Sequence, residues 1–102
     1  MSTADEQLHA LLDTFSEIRD FLTAHGVASE WARFAYLAGV ASGDGSSAQV
    51  LRDTARAYGQ VAGRRDGIGD LYLTDAAGGV DREASQALDA LKDRLASLLE
   101  DW

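Results

Sequence analysis

The 102-residue chain sets 9 Lys and Arg against 17 Asp and Glu, a net charge of −8, and contains neither cysteine nor proline. Disulfides, thiol catalysis and thiolate metal sites are excluded. The acidic balance speaks against nucleic acid and anionic membrane surfaces, which are bound by clustered Lys and Arg. At this length a chain forms one domain with a core of its own, and no run of about 18 apolar residues marks a membrane span. The opening Met1-Ser2-Thr3-Ala4-Asp5-Glu6 is acidic and lacks the basic-then-apolar layout of a signal peptide, so a cytoplasmic location is expected. Apolar residues make up 46% of the chain, many of them alanine. The core is therefore expected from a limited set of Leu, Phe, Tyr, Trp, Val and Ile. Eight of the nine cations are arginine, which together with the alanine content matches the coding bias of a GC-rich bacterial genome.

A first helix is expected from about Asp5 to Ala24. Thr3 has the character of an N-cap and Glu6 stands three positions on, the capping-box spacing, with first-turn acids that suit the helix dipole. Leu8, Leu11, Phe15, Ile18 and Leu22 recur at steps of three and four, one helical face, and Leu12 and Phe21 widen it. Gly26, after His25, signals the C-terminal cap. A second helix, capped by Ser29, is expected over about Glu30 to Ala41, with Trp31, Phe34, Ala35, Ala38 and Ala41 on one side and Leu37 beside them. Gly43-Asp44-Gly45-Ser46 reads as a turn whose glycines permit positive φ. A third helix begins near Ser47, carries Val50, Leu51, Thr54, Ala55 and Tyr58 at helical spacing, and stops around Gly59. A fourth begins after Gly78-Gly79 with Asp81 as N-cap. Ala84, Leu88, Leu91, Leu95, Leu98 and Trp102 make its apolar stripe, and Arg82, Glu83, Asp89 and Asp93 its wet face.

The fold class that follows is all-α: a four-helix bundle-like small domain over residues 1–102, up-and-down or orthogonal, with a long Gly-rich loop between helices 3 and 4. The alternating three-four spacing of the first and last helices predicts that these two pack together at a shallow angle.

Gly59 to Gly79 breaks the helical rhythm. It holds six of the ten glycines, the adjacent Arg64 and Arg65, and Asp66, Asp70 and Asp75, and a connection of this length in a small domain is usually functional or disordered. Three readings stay open. Leu71, Tyr72 and Leu73 form an apolar plug over the bundle end, with the glycines as turns. Alternatively Arg64, Arg65, Asp66, Asp70 and Tyr72 offer a recognition surface to a protein partner, as loops on rigid frames do. Lastly, the glycines invite comparison with a phosphate cradle, for which the segment is poorly equipped. Gly67-Ile68-Gly69 is neither a Walker loop nor a dinucleotide fingerprint. Asp66, Asp70 and Asp75 lack the dense oxygen array and closing Glu of a calcium loop. No cofactor and no metal are expected.

Elsewhere the chemistry is sparse. His9 and Asp13 lie four apart on the first helix with no third ligand, and His25 stands where a cation complements the helix C-terminal dipole. Ser42, Ser46 and Ser47 read as turn and cap residues, and no nucleophile elbow of the G-x-S-x-G type occurs. An enzyme is not expected. Tyr36 falls off the main face of the second helix close to Arg33, and Tyr and Arg are enriched among interface hot spots.

The order of these signals is Trp31 early in a second helix, the Gly43-Asp44 turn, a helix ending at Gly59, a glycine-rich stretch closing in Asp70-Leu71-Tyr72-Leu73, and a final amphipathic helix. It resembles a group of small uncharacterised bacterial helical domains whose loop reads G-x-G-S-x-N-D-L-x-L. The resemblance spans roughly residues 8–100; Gly69 stands where the group has Asn, and Arg64-Arg65-Asp66 replaces its first glycines. The small, single-domain character of that group is similar to that of immunity proteins and other proteinaceous inhibitors of bacterial toxins. The group has no established activity for the resemblance to carry over.

The charge, the helical frame and the polar loop together point to a small acidic protein-binding domain. It is of the immunity or inhibitor type, acting by surface complementarity on a protein partner with a basic surface. Arg64, Arg65, Asp66, Asp70, Tyr72, Arg33 and Tyr36 are its expected contacts. The alternatives are a structural homo-oligomeric helical module built on the stripe of the first or last helix, and a small-ligand or enzymatic site under the 59–79 loop.

Overall fold

The helix α1 (Thr3–Ala24) is the element around which the others assemble: it packs against every other helix, and most extensively against α4 (Arg82–Leu99). With α2 (Ala32–Ala41) and α3 (Ser47–Val61) these make the expected four-helix, all-α arrangement. The computed structural model describes residues 3–61, 79, 81–100 and 102, and no strand occurs among them.

Leu11, Phe15, Ile18 and Leu22 of α1 are all buried. The buried arc is narrower than the expected stripe and rotated. At about 100° per residue, Leu12 lies roughly 60° beyond Phe15, and it is 37% exposed. Phe21 is half-buried against the core, and Thr14, on the opposite flank from Leu12, is buried instead. The Thr14 hydroxyl donates to the Ala10 carbonyl at 2.7 Å and accepts from Arg94 Nε at 3.1 Å, and that of Thr54 donates to the Val50 carbonyl at 2.7 Å. Both buried hydroxyls are thus satisfied by the preceding helical turn. The helix starts at Thr3 rather than Asp5, with Ala4 drawn against the core, so Thr3 is a first-turn residue and not the cap.

α1 ends in a Schellman motif. Gly26 adopts φ 72°, its N–H reaches the Thr23 carbonyl at 3.1 Å, and the Val27 N–H reaches the Leu22 carbonyl at 2.9 Å. Val27 is partly buried against the same core as Leu22, the apolar contact that accompanies this cap. A one-turn 3-10 helix, Ala28–Trp31, then leads into α2. Ser29 sits inside that turn and caps nothing, because Trp31 is already helical (φ −57°, ψ −26°) and the tightened turn replaces a conventional helix start. Trp31 stacks on Phe34 at 6.0 Å and meets Phe15 edge-on at 6.4 Å. The buried side of α2 is Phe34, Leu37 and Ala41; Ala38 is half-buried, while Ala35 faces outward rather than joining it.

Neither Gly43 nor Gly45 uses a positive φ; Gly26 is the only glycine among the described residues that does. Ser46 caps the start of α3 with its Oγ, which accepts from the Gln49 N–H at 3.3 Å. α3 continues two residues past Gly59, to Val61, and buries Val50, Leu51, Thr54 and Ala57, with Ala55 and Tyr58 half-buried. α4 begins as expected: Asp81 Oδ1 accepts from the Ala84 N–H at 3.0 Å. Its buried positions are Ala84, Leu88, Leu95 and Leu99, with Leu91, Leu98 and Trp102 packed at their edges.

Three cross-links set helix direction. Trp102 Nε1 donates to Gln7 Oε1 at 2.7 Å and Arg94 reaches Thr14, so α1 and α4 run antiparallel. The Ser47 hydroxyl donates to the Asp5 carboxylate, which starts α3 beside the start of α1. α4 leans mainly on α1 and only lightly on α3.

Candidate functional site

Of the seven residues expected to contact a partner, Arg64, Arg65, Asp66, Asp70 and Tyr72 lie outside the described residues, as do Asp75 and the Leu71–Leu73 plug. Arg33 and Tyr36 are described, and they differ. Arg33 is half-buried and its Nε donates to Glu30 Oε2 at 2.6 Å, a pair formed across the junction of the 3-10 turn and α2. Tyr36 is 61% exposed. It stands at the edge of a groove of about 270 Å³ between α2 and α3, lined by Val40, Asp53, Arg56, Ala57 and Gln60.

A second groove, of about 420 Å³, follows from the light contact between α3 and α4. Ala55, Ala96 and Leu99 floor it, and Tyr58, Asp93, Ser97 and Glu100 complete its lining. Burial pushes the Tyr58 phenol above its ordinary pKa of 10.0, and the Asp93 carboxylate adds to that by disfavouring a second negative charge nearby. A neutral phenol in an open groove can donate and accept hydrogen bonds.

Between α1 and α4, Arg94 clips the two helices together: its Nε donates to the Thr14 hydroxyl and its guanidinium pairs with the Glu17 carboxylate. His9 and Asp13 pair at 3.4 Å on the outer surface, as their four-residue spacing suggested. The His25 ring rests on Phe21 at 4.3 Å, next to the α4 cap. No group of three or more His, Cys, Asp and Glu able to hold a metal occurs among the described residues. No helix there is long and apolar enough to cross a membrane.

What the fold adds is the placement of charge. α1 carries Asp5, Glu6, Asp13, Glu17 and Asp20 against Arg19 alone. α4 with its flanking residues carries Asp81, Glu83, Asp89, Asp93 and Glu100 against Arg82, Lys92 and Arg94. Residues 27–61 are balanced, with Glu30, Asp44 and Asp53 matched by Arg33, Arg52 and Arg56. On α1, Glu6, Asp13 and Asp20 fall seven residues apart and all are exposed. Two helical turns separate each from the next, so they form a line of carboxylates spaced about 10 Å apart, diametrically opposite Leu11. Exposed Leu12 lies about a quarter-turn round the helix from that line, between it and the buried arc. This seven-residue recurrence was present in the sequence as a signal and is easily missed when acids are counted as bulk charge.

Comparison with protein-family models, with characterised proteins and with solved structures finds no match to this chain.

Proposed function

We propose that the chain is a small acidic protein-binding domain of the immunity or inhibitor type, which occludes a basic protein partner by surface complementarity and performs no catalysis of its own. The observation that carries this reading is the line of Glu6, Asp13 and Asp20 along the solvent side of α1, with Leu12 as an apolar anchor between that line and the buried arc. A row of like charges on a rigid helix raises the local concentration of a cationic partner and fixes its register. An exposed leucine flanked by charge matches the division of an interface into an apolar centre and a polar rim. Arg64, Arg65, Asp66, Asp70 and Tyr72 belong to this reading on sequence grounds, through the polar loop and the resemblance to immunity-like domains.

The test is affinity capture from a lysate of the source cell, comparing the wild type with a Glu6→Lys, Asp13→Lys, Asp20→Lys variant at low and high salt. One basic protein should be retained by the wild type, released as salt rises, and lost with the variant. Stoichiometric addition of the chain should then suppress that partner's own activity. Capture of nothing, equal capture by both chains, or a partner that stays fully active in the complex each overturns the reading.

A further inference from the structure

α2 differs chemically from the other helices. Of its ten residues only Arg33 is charged, and it contains no acid. A helix that is apolar on all sides is normally enclosed, yet Ala32, Ala35, Tyr36 and Gly39 face outward. Tyr36 and Leu12 are the two large hydrophobic residues left exposed among the described residues. Gly39 lies within the helix, where glycine is destabilising relative to alanine. A Cβ built on it meets nothing within 4 Å among the described residues, so packing among them supplies no reason for a glycine there.

The groove beside Tyr36 contains one charge of each sign. Asp53 and Arg56 are three residues apart on α3 and both line it. Asp53 accepts from Gln49 Nε2 at 2.9 Å. Arg56 is exposed and has no ion-pair partner among the described residues.

We infer that this face binds a second copy of the chain, in a two-fold dimer that sets α2 against α2 and places each Tyr36 in the other copy's groove. The inference stands independently of the acidic face on α1. Charge selects the occupant. A two-fold axis brings Arg56 to Asp53 of the partner subunit, and the reverse, so the groove is its own complement. Two copies meeting through the balanced 27–61 region avoid the repulsion that an approach through the acids of α1 or α4 would meet. A basic protein finds no surplus of acid here, and an acidic one no surplus of base. Gly39 lets the two helix backbones approach closely, and an exposed tyrosine is an anchor of the type that dominates interface energetics.

Sedimentation velocity on the full chain over a wide concentration series tests this, with circular dichroism to verify that each variant keeps its helices. The wild type should show a monomer–dimer equilibrium, and Tyr36→Ser should raise its Kd by about tenfold or more. Asp53→Arg alone and Arg56→Asp alone should each be monomeric where the wild type dimerises, since like charges then face one another across the axis. An equimolar mixture of these two variants should recover the dimer, because opposite charges are again opposed. A wild type monomeric throughout, a dimer indifferent to Tyr36→Ser, or a mixture that stays monomeric overturns the inference. So does a dimer that is lost with Leu12→Ser and kept with Tyr36→Ser.

Discussion

Two glycines in this chain should respond to alanine with opposite signs, although their side-chain surroundings are equivalent. Among the described residues neither Gly26 nor Gly39 has any atom within 4 Å of a built Cβ, so the backbone is what separates them. Gly26 holds φ 72° in the Schellman motif that ends α1. An L-residue in that left-handed region costs about 1–2 kcal/mol. Gly39 lies inside α2, where alanine is favoured over glycine by about 1 kcal/mol. In a domain of this size each kcal/mol moves Tm by about 4–8 °C. Gly26→Ala should therefore melt below the wild type and Gly39→Ala above it, the two variants differing by on the order of 10–20 °C. Thermal unfolding followed by far-ultraviolet circular dichroism measures this, at concentrations dilute enough that every species is monomeric. A Gly26→Ala protein that melts at or above the wild type refutes the cap assignment. A Gly39→Ala protein that melts below it shows that something within the chain does use the space at that position.

The start of α4 and the Tyr58 groove give further tests. Asp81→Ala removes the acceptor for the Ala84 N–H and should cost about 1 kcal/mol, read as a lower urea midpoint at unchanged slope, whereas Asp81→Asn keeps an acceptor and most of the stability. Tyr58 holds its proton more tightly folded than unfolded. Its stabilising contribution is thus complete below pH about 10 and is lost as pH rises through the raised folded pKa. Urea unfolding on a pH series should show the wild type losing stability more steeply above pH 10 than Tyr58→Phe; parallel profiles would remove Tyr58 from the account.

How far the sequence speaks for the fold depends on whether a signal is local. Asp81 and the stripe from Ala84 to Leu99 are local on both counts, cap and period, and α4 forms as its residues dictate. Gly26 is the same case. Ser29 has the right residue type for a cap, but the aromatic packing of Trp31 between Phe15 and Phe34 accompanies a 3-10 entry that leaves the serine without that role. Leu12 and Ala35 are apolar residues one step outside the buried arc, and only the position of the neighbouring helices decides which edge of a stripe is covered. Of the site, the exposure of Tyr36 was legible because it falls off the apolar face of its helix. The clip from Arg94 to Thr14 and Glu17 was not, since it joins residues 80 positions apart and no spacing rule reaches that far. The glycines at 43 and 45 show that a residue able to adopt positive φ need not do so.

The partnership of α1 with α4 also orders events during synthesis. Because the most extensive helix contact joins the first helix to the last, α1 leaves the ribosome long before its main neighbour exists. At 5–20 residues per second, roughly 4–15 seconds separate completion of Ala24 from completion of Leu99. Until α4 is made, Leu11, Phe15, Ile18 and Leu22 lack the helix that supplies the most extensive contact of α1. A nascent chain that has not reached α4 is therefore without the main neighbour of its first helix. The bonds that join Arg94 and Trp102 to Thr14, Glu17 and Gln7 are accordingly among the last that this fold can make.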